Sequence, residues 1–507
     1  MVNAPRRGRY GILFTWTRTR TWTGASGIVR NTLDPGLDTM VEVFENGWAA
    51  RLGDALRTSE SYRHAARSWE GAVVLDWSDA PAVTDAVTSH DSSPAQRGVF
   101  LDLLHGDCHA ARLATNADYE HARFVLSADR EGWEMLLTGR IAPTMAIVRG
   151  KLKVLKGSVG ALMPHAQAAS ELVRVAQGVN RTAFTAVPAQ SELSVTSDVP
   201  AVHAGQRSQP LQSTSATGLR YDLFPMRLWE KAKRLGIWNP ADIDFAQDRL
   251  DWQQLAPDEQ DLLLRLTALF QAGEECVTLD ILPLIDVIAQ EGRLEEQLYL
   301  TSFLWEEAKH VEAFRRFFDQ VAGAHYDLTH YHTASYRTIF AEELPTAMGL
   351  LRTDRSPVAQ ARASVTYNLI VEGVLAETGY HLYHRVLASR GIMPGMQRVA
   401  TLLKADESRH LAYGIYLLSR LVAEHGDVVW NAITQRMDEL LAPAIEIINE
   451  AFAAYPPDNR PFGLQPESFV DYATGQFRKR MDRIEFARSQ TLAEVQTLEP
   501  VEEPGPQ

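Results

Sequence analysis

The sequence predicts a multidomain chain, with an α+β unit in its first third and an all-α helical bundle after it. Three observations predict this. At 507 residues the chain is too long for one hydrophobic core. Short β-type runs alternate with helical patterns between about Thr39 and Val179, whereas long helical periodicity alone follows Leu219. Between them, residues 180–218 are rich in Ser, Thr, Ala, Pro, Gln and Val and lack large apolar periodicity, the composition of a flexible linker.

Composition narrows the function. A hydrophobic share of 45% is that of a globular protein, and a net charge of -14 argues against a nucleic-acid binder. Two cysteines, Cys108 and Cys276, are too few for a disulfide framework and fit a reducing cytoplasm. No apolar run approaches the roughly 20 residues of a membrane helix, so no integral membrane segment is expected. Residues 1–38 are expected to be a basic disordered tail: six arginines and no acid occur among the first 33 residues. The apolar run at 12–14 is too short for a signal peptide. Residues 491–507 are expected to be a second disordered tail.

In the first unit, residues 39–179, a helical pattern runs from Met40 to Leu56. Strand-like runs follow at 72–77, 98–104, 123–128 and 151–156, with helices at 129–137 and 163–176. Helix, antiparallel strands and closing helices make an α+β layer. His105, Cys108 and His109 are expected as a strand-edge group and not as a metal site. The runs Phe124-Val125-Leu126-Ser127-Ala128-Asp129, Trp133 to Pro143 and Gly150 to Gly157 resemble the sterol carrier protein 2 family. That resemblance implies a lipid-binding fold with an apolar tunnel between sheet and helices, and no catalytic residue.

The second unit, residues 219–490, is all-helical. Pro257 opens a helix through Glu274 that Pro283 interrupts; the next runs from Leu294 to Val321. Ser356-Pro357 caps another that ends at Gly391. Two more span 396–424 and 428–454, the last with Pro443 near its middle. An insert at 326–355 separates the two halves.

Each half carries Glu-x-x-His: Glu307 with His310, and Glu407 with His410. Residues three apart share a helix face, so each carboxylate and imidazole point the same way. Each pair follows an apolar helix interrupted by an acid, Glu274 and Glu372, which precede Glu307 and Glu407 by 33 and 35 positions. Oxygen and imidazole donors suit iron and manganese, and four carboxylates nearly cancel the charge of two such ions. Without metal the acids would repel and partly protonate. Cys276 lies about 200° round the helix from Glu274 and is expected in the core. Glu306 and Glu312 lie off the ligand face and are expected as surface charges. Tyr380 is a plausible hydrogen-bond partner for the site.

This pattern is similar to the di-metal carboxylate site of ferritin-like bundles. More closely, the whole second unit resembles the ligand-binding oxidases of the ribonucleotide reductase small-subunit superfamily. The resemblance implies manganese held by Glu274, Glu307 and His310, and iron held by Glu372, Glu407 and His410, with di-iron as an alternative. It also implies a long-chain fatty acid bridging the metals, and an ether link between Val277 and Tyr367 formed as dioxygen is activated. Tyr367 lies about 140° from Glu372 on a regular helix, so it needs a π-bulge or a sideways approach. Dioxygen, an electron donor and a second copy of the chain are the implied partners, and a lipid or long apolar acid is the implied substrate. Two other readings stand beside it. One is a radical-generating reductase subunit, against whose tyrosyl form Phe314 counts, because a tyrosine would follow the first histidine by four residues. The other is a non-enzymatic lipid carrier with a structural di-metal site.

Overall fold

The computed structural model describes residues 44, 46–79, 97–180, 218–323 and 327–497. The expected tail at 1–38 and nearly all of the expected linker lie outside them. The first unit comprises α1 (Asn46–Thr58), α2 (Glu60–Ala65), β1 (Val73–Trp77), β2 (Arg97–Leu104), β3 (Asp107–Leu113), α3 (Asn116–His121), β4 (Phe124–Ala128), α4 (Arg130–Leu137), α5 (Pro143–Val148), β5 (Lys153–Lys156), α6 (Val159–Leu162) and α7 (Ala166–Asn180).

The strands form one sheet in the order β3-β2-β1-β4-β5. Two features differ from expectation. β1 and β4 run parallel, Val73 opposite Phe124 and Trp77 opposite Ala128, because the β2–β3 hairpin and α3 carry the chain back to the start of β1. β3 was not anticipated: as an edge strand it buries little beyond Cys108, so no apolar run marks it. His105 and Gly106, both with positive φ, make the hairpin turn before it. Cys108 points inward and His109 outward, so the His/Cys group does not converge. On one sheet face Phe44, Trp77 and Trp133 pack ring against ring at 5.5–5.6 Å. Between that face and the helices lies an apolar cavity of about 790 Å³, its mouth included, lined by residues such as Trp69, Leu103, Leu136 and Leu172.

The second unit comprises α8 (Phe224–Leu235), α9 (Ala246–Trp252), α10 (Pro257–Asp280), α11 (Leu282–Gln290), α12 (Leu294–Phe317), α13 (Ala334–Arg337), α14 (Leu344–Leu350), α15 (Pro357–Ser364), α16 (Glu377–Arg390), α17 (Pro394–His425), α18 (Asp427–Phe452), α19 (Pro466–Phe486) and α20 (Leu492–Thr497). The break between α10 and α11 falls at Ile281, two residues before Pro283, as a helix-interrupting proline requires. The insert between the halves is itself helical, through α13, a π turn at Thr338–Glu343 and α14. The tail expected from residue 491 begins instead with α20, whose Val495 is buried against the bundle. Thr491 and Glu494 bond reciprocally at its start, a capping box that helps hold a six-residue helix with one buried residue.

Between α15 and α16 the chain winds as a π-helix over Val365–Ala376, with residues 365–374 all buried. It packs against α17 and α18. The approach is close at Gly414 of α17, where a Cβ would collide with Cβ of Asn368. Gly414→Ala is therefore expected to destabilise the chain by about 1–3 kcal/mol through overpacking, despite the better helix propensity of alanine. Urea denaturation of the metal-free protein measures it.

Candidate metal centre

Four helical segments bring six side chains to one point. α10 supplies Glu274, α12 supplies Glu307 and His310, the π segment supplies Glu372, and α17 supplies Glu407 and His410. All six are buried, and both imidazoles are inaccessible to solvent. Nδ1 of His310 lies 3.3–3.5 Å from carboxylate oxygens of Glu274, Glu307 and Glu407. Nδ1 of His410 lies 3.3 Å from oxygens of Glu307 and Glu407, and 3.9 Å from Glu372. The donors form two overlapping groups, Glu274-Glu307-His310-Glu407 and Glu307-Glu372-Glu407-His410. Glu307 and Glu407 belong to both.

Five facing atoms have no hydrogen-bond partner: Nδ1 of both histidines, Oε2 of Glu307 and Glu407, and Oε1 of Glu372. Buried polar atoms are almost always satisfied, so this many in one place marks a missing partner. They are lone-pair donors converging on a shared space, which fits two cations.

The outer nitrogens explain the ring orientations. Nε2 of His310 faces Oδ2 of Asp406 at 3.3 Å, and Nε2 of His410 faces Oε2 of Glu306 at 2.9 Å. Each half thus holds the other half's histidine. Arg409 donates to Glu306 at 2.6 Å and to Asp406 at 2.5 Å. Lys309 reaches Asp406 at 3.2 Å and the Gly236 carbonyl at 2.6 Å, and Trp238 donates to Asp406 at 2.8 Å. Two buried acids and two buried bases balance. Glu306 is therefore no surface charge: it is fully buried, because its direction is set by His410 on the facing helix. Glu312 is exposed and pairs with Arg316, as expected. The signal for the missed residues is a doubled pattern, Glu306-Glu307-x-Lys309-His310 and Asp406-Glu407-x-Arg409-His410.

The carboxylates are aimed as well. Tyr380 donates to Glu274 at 3.0 Å, Asn368 to Glu372 at 2.9 Å, and Tyr367 to Glu307 at 3.2 Å. The π winding does for Tyr367 what a regular helix would not, placing residues five apart on one side. Cys276 sits outside the cluster, partly buried against the core. Burial pushes the Glu274 carboxyl up to about 8 and Glu372 well above the usual carboxylate range, helped there by the Glu407 charge. Burial alone would raise Glu307 too, but the facing imidazoles hold it low. Burial would lower both histidines, but facing carboxylates, led by Glu274 for His310 and Glu407 for His410, raise them.

An apolar cavity of about 810 Å³, mouth included, ends on Glu274, Glu307, Glu372 and Glu407. Its walls include Leu266, Phe270, Val277, Phe340, Ile448 and Phe469, so the insert, α18 and α19 all contribute.

Two paired helical halves around a buried carboxylate–histidine cluster define a di-metal carboxylate bundle. The family can be stated more closely. The chain belongs to the family described as ribonucleotide reductase, small chain, whose model matches residues 224–488. Among solved structures it is similar to an R2-like ligand-binding oxidase from Sulfolobus acidocaldarius, at 40% identity over 55% of this chain and 97% of that one, with a TM-score of 0.51. It is also similar to a single-residue variant of an R2-like ligand-binding oxidase with an aerobically reconstituted Mn/Fe cofactor, at 38% identity over 54% of this chain and 98% of that one, with a TM-score of 0.50.

Two outcomes are expected. Glu306→Ala strands Nε2 of His410 and leaves Arg409 short of a partner, so metal affinity should fall about 10–100-fold and stability by about 3–5 kcal/mol. Glu312→Ala on the same helix should change stability by less than about 0.5 kcal/mol. Chelator competition and urea denaturation read these. Metal binding also needs Glu274 and Glu372 as carboxylates and both histidines neutral, and all four are raised. Loading at pH 7 should release protons, and affinity should climb as pH rises toward 8. Calorimetry in two buffers of different ionisation enthalpy counts the protons; no buffer dependence would contradict it.

Proposed function

We propose that the chain is a dioxygen-dependent oxidase that holds manganese and iron and acts on a lipid or other long apolar acid. The observation that carries this reading is the apolar cavity ending on four carboxylates. Glu274, Glu307 and His310 would hold manganese, and Glu372, Glu407 and His410 iron, with Glu307 and Glu407 within reach of both; the same donors accept two irons. When bound, the metal pair supplies the reduction of dioxygen and the oxidising power to break a strong C–H bond.

The chain's own residues do the rest. Leu266, Phe270 and Phe340 exclude water and give an alkyl chain a surface to lie along. We assign a long-chain fatty acid to this cavity, its tail on these walls and its carboxylate at the polar end. Tyr380 holds Glu274, and Asn368 holds Glu372, so neither acid is free to swing into the cavity. Glu307 is placed to take the proton of Tyr367, whose hydroxyl faces its Oε1. The same hydroxyl lies 3.4 Å from the Val277 carbonyl, which keeps the ring beside a valine that lines the cavity. We read Tyr367 and Val277 as the partners of an ether link. Tyrosine loses its O–H hydrogen, valine loses a C–H hydrogen, the O–C bond forms, and two electrons and two protons pass to dioxygen. The other two electrons and two protons that take dioxygen to two waters would come from the metal pair, when bound and reduced by an external donor, and from solvent.

Phe314 favours this reading over a tyrosyl-radical subunit. It is buried, with its ring stacked 5.1 Å from Phe270. In the first unit, a cavity lined almost wholly by carbon supports reading residues 39–179 as a lipid-binding domain of the sterol carrier protein 2 kind.

The test is mass spectrometry. Chain loaded with manganese and iron in air, then digested, should yield the peptides of Val277 and Tyr367 joined and lighter by two hydrogens. Tyr367→Phe should yield them separate while still holding metal. Separate peptides from the fully loaded native chain would overturn the oxidase reading.

A further inference from the structure

The first unit rests on the bundle through its short helices, and the contact is specific. α5 and α6 lie against α18 and α19. All six residues of α5 are buried. The carbonyls of Ile147 and Val148, at the negative end of α5, accept from Arg478 of α19. At its other end Asp438 of α18 sits beside the Met145 N–H; burial pushes its carboxyl up to about 7, and that N–H offsets only part of the rise. Arg149 pairs with Glu485 of α19, and its guanidinium stands 5.5 Å over the Trp430 ring of α18. A Cβ on Gly160 of α6 would meet Cα of Glu467 at 3.3 Å and Cβ of Val470 at 3.5 Å, so backbone approaches backbone.

The helices that touch are also the cavity walls. Pro143 and Ile147 of α5 and Leu162 of α6 line the cavity of the first unit. Ile448 and Phe452 of α18 and Phe469 of α19 line the cavity of the bundle. Phe469 faces the bundle's cavity while its neighbour Val470 faces Gly160. The two cavities are therefore back to back across a seam of two helical layers, whose axes pack roughly 8–10 Å apart.

We propose that the docked first unit is the donor of the bundle's ligand: a long-chain acid taken into the first cavity passes across the seam into the second without release to water. This rests on the readings of the bundle as an oxidase of apolar acids and of the first unit as a lipid-binding domain. A chain released between the cavities would expose every methylene to water, and transfer while the two units stay docked avoids that barrier. Tethering on one polypeptide keeps donor and acceptor at high effective concentration.

The experiment uses the full, metal-loaded chain, stripped of bound lipid. The probe is a saturated long-chain acid with a terminal diazirine, presented in phosphatidylcholine vesicles. Samples are irradiated at timed intervals, and the label is mapped by peptide. In the native chain, label should appear around Leu136–Ile147 before it appears around Leu266–Val277 and Ile447–Phe452. The double variant Arg149→Glu with Arg478→Glu reverses both seam cations, and undocking is checked as lost amide protection in α5. In it the first unit should label as before, and the bundle at least tenfold more slowly. The swap Arg149→Glu with Glu485→Arg keeps an ion pair and should label like the native chain. Bundle labelling at the native rate in the undocked variant overturns the proposal, as does label in the bundle before the first unit. Label in the bundle alone overturns the transfer and leaves the oxidase reading standing. Label in neither cavity overturns both.

Discussion

The constraint on which the bundle depends is the burial of four carboxylates and two imidazoles in one apolar interior. Carboxylates whose ligand atoms lie within 4.8 Å of one another in a desolvated site do not coexist unpaired, and the chain resolves this at two levels. Inside, the acids are poised for cations: five of the facing atoms have no protein partner. Outside, every ligand is restrained. The reciprocal contacts of Glu306 with His410 and Asp406 with His310 fix both rings, and Lys309 and Arg409 neutralise the acids that do it. Gly236 completes the arrangement. A Cβ there would collide with Oε1 of Glu306, while its carbonyl accepts from Lys309. The members of such a buried polar network depend on one another, so removing one weakens the rest.

The same constraint shapes the backbone. Glu372 has to reach the cluster while Tyr367, five residues earlier, faces Glu307. A regular helix separates them by about 140°. The π winding of Val365–Ala376 removes the conflict, at the expense of poorer backbone hydrogen bonding along twelve residues. Full burial repays it: Leu369, Ile370 and Val374 are wholly inaccessible to solvent and pack against neighbouring helices. Asn368 gains from it as well, because it bonds both Ser364 and Glu372 while packing on Gly414.

Much of this was legible in the sequence, and what was not has identifiable causes. The six clustered acids and histidines follow from helical spacing, since Glu-x-x-His fixes a face and the repeat fixes a partner. Helix ends at Ser356 and Gly391 follow from local chemistry that tertiary packing did not override. Glu306 was misjudged because a helical wheel gives an angle about its own axis and not what stands opposite. The position of His410 lies in another helix a hundred residues on. Strand direction failed for a related reason: alternation marks a half-buried strand, but nothing local says whether β4 runs with β1 or against it. β3 and α20 are short and polar, and each is held by one inward residue, Cys108 or Val495. The sequence carried a capping box at Thr491 that would have marked the second.

The helices α18 and α19 serve two surfaces at once, and this ties the units together more firmly than the fusion alone. One face of each closes the cavity that ends on the carboxylates; another bears on α5 and α6. Interiors packed to crystal-like density transmit displacement, so a change in filling on either side of the seam acts on the same helices. The seam's polar contacts sit at the ends of α5, on Ile147, Val148 and Arg149, and its closest approach is made by Gly160. Larger side chains on α6 would hold the layers apart and leave room for water between two oily cavities. A glycine there lets the helical layers that wall the two hydrophobic spaces close on one another.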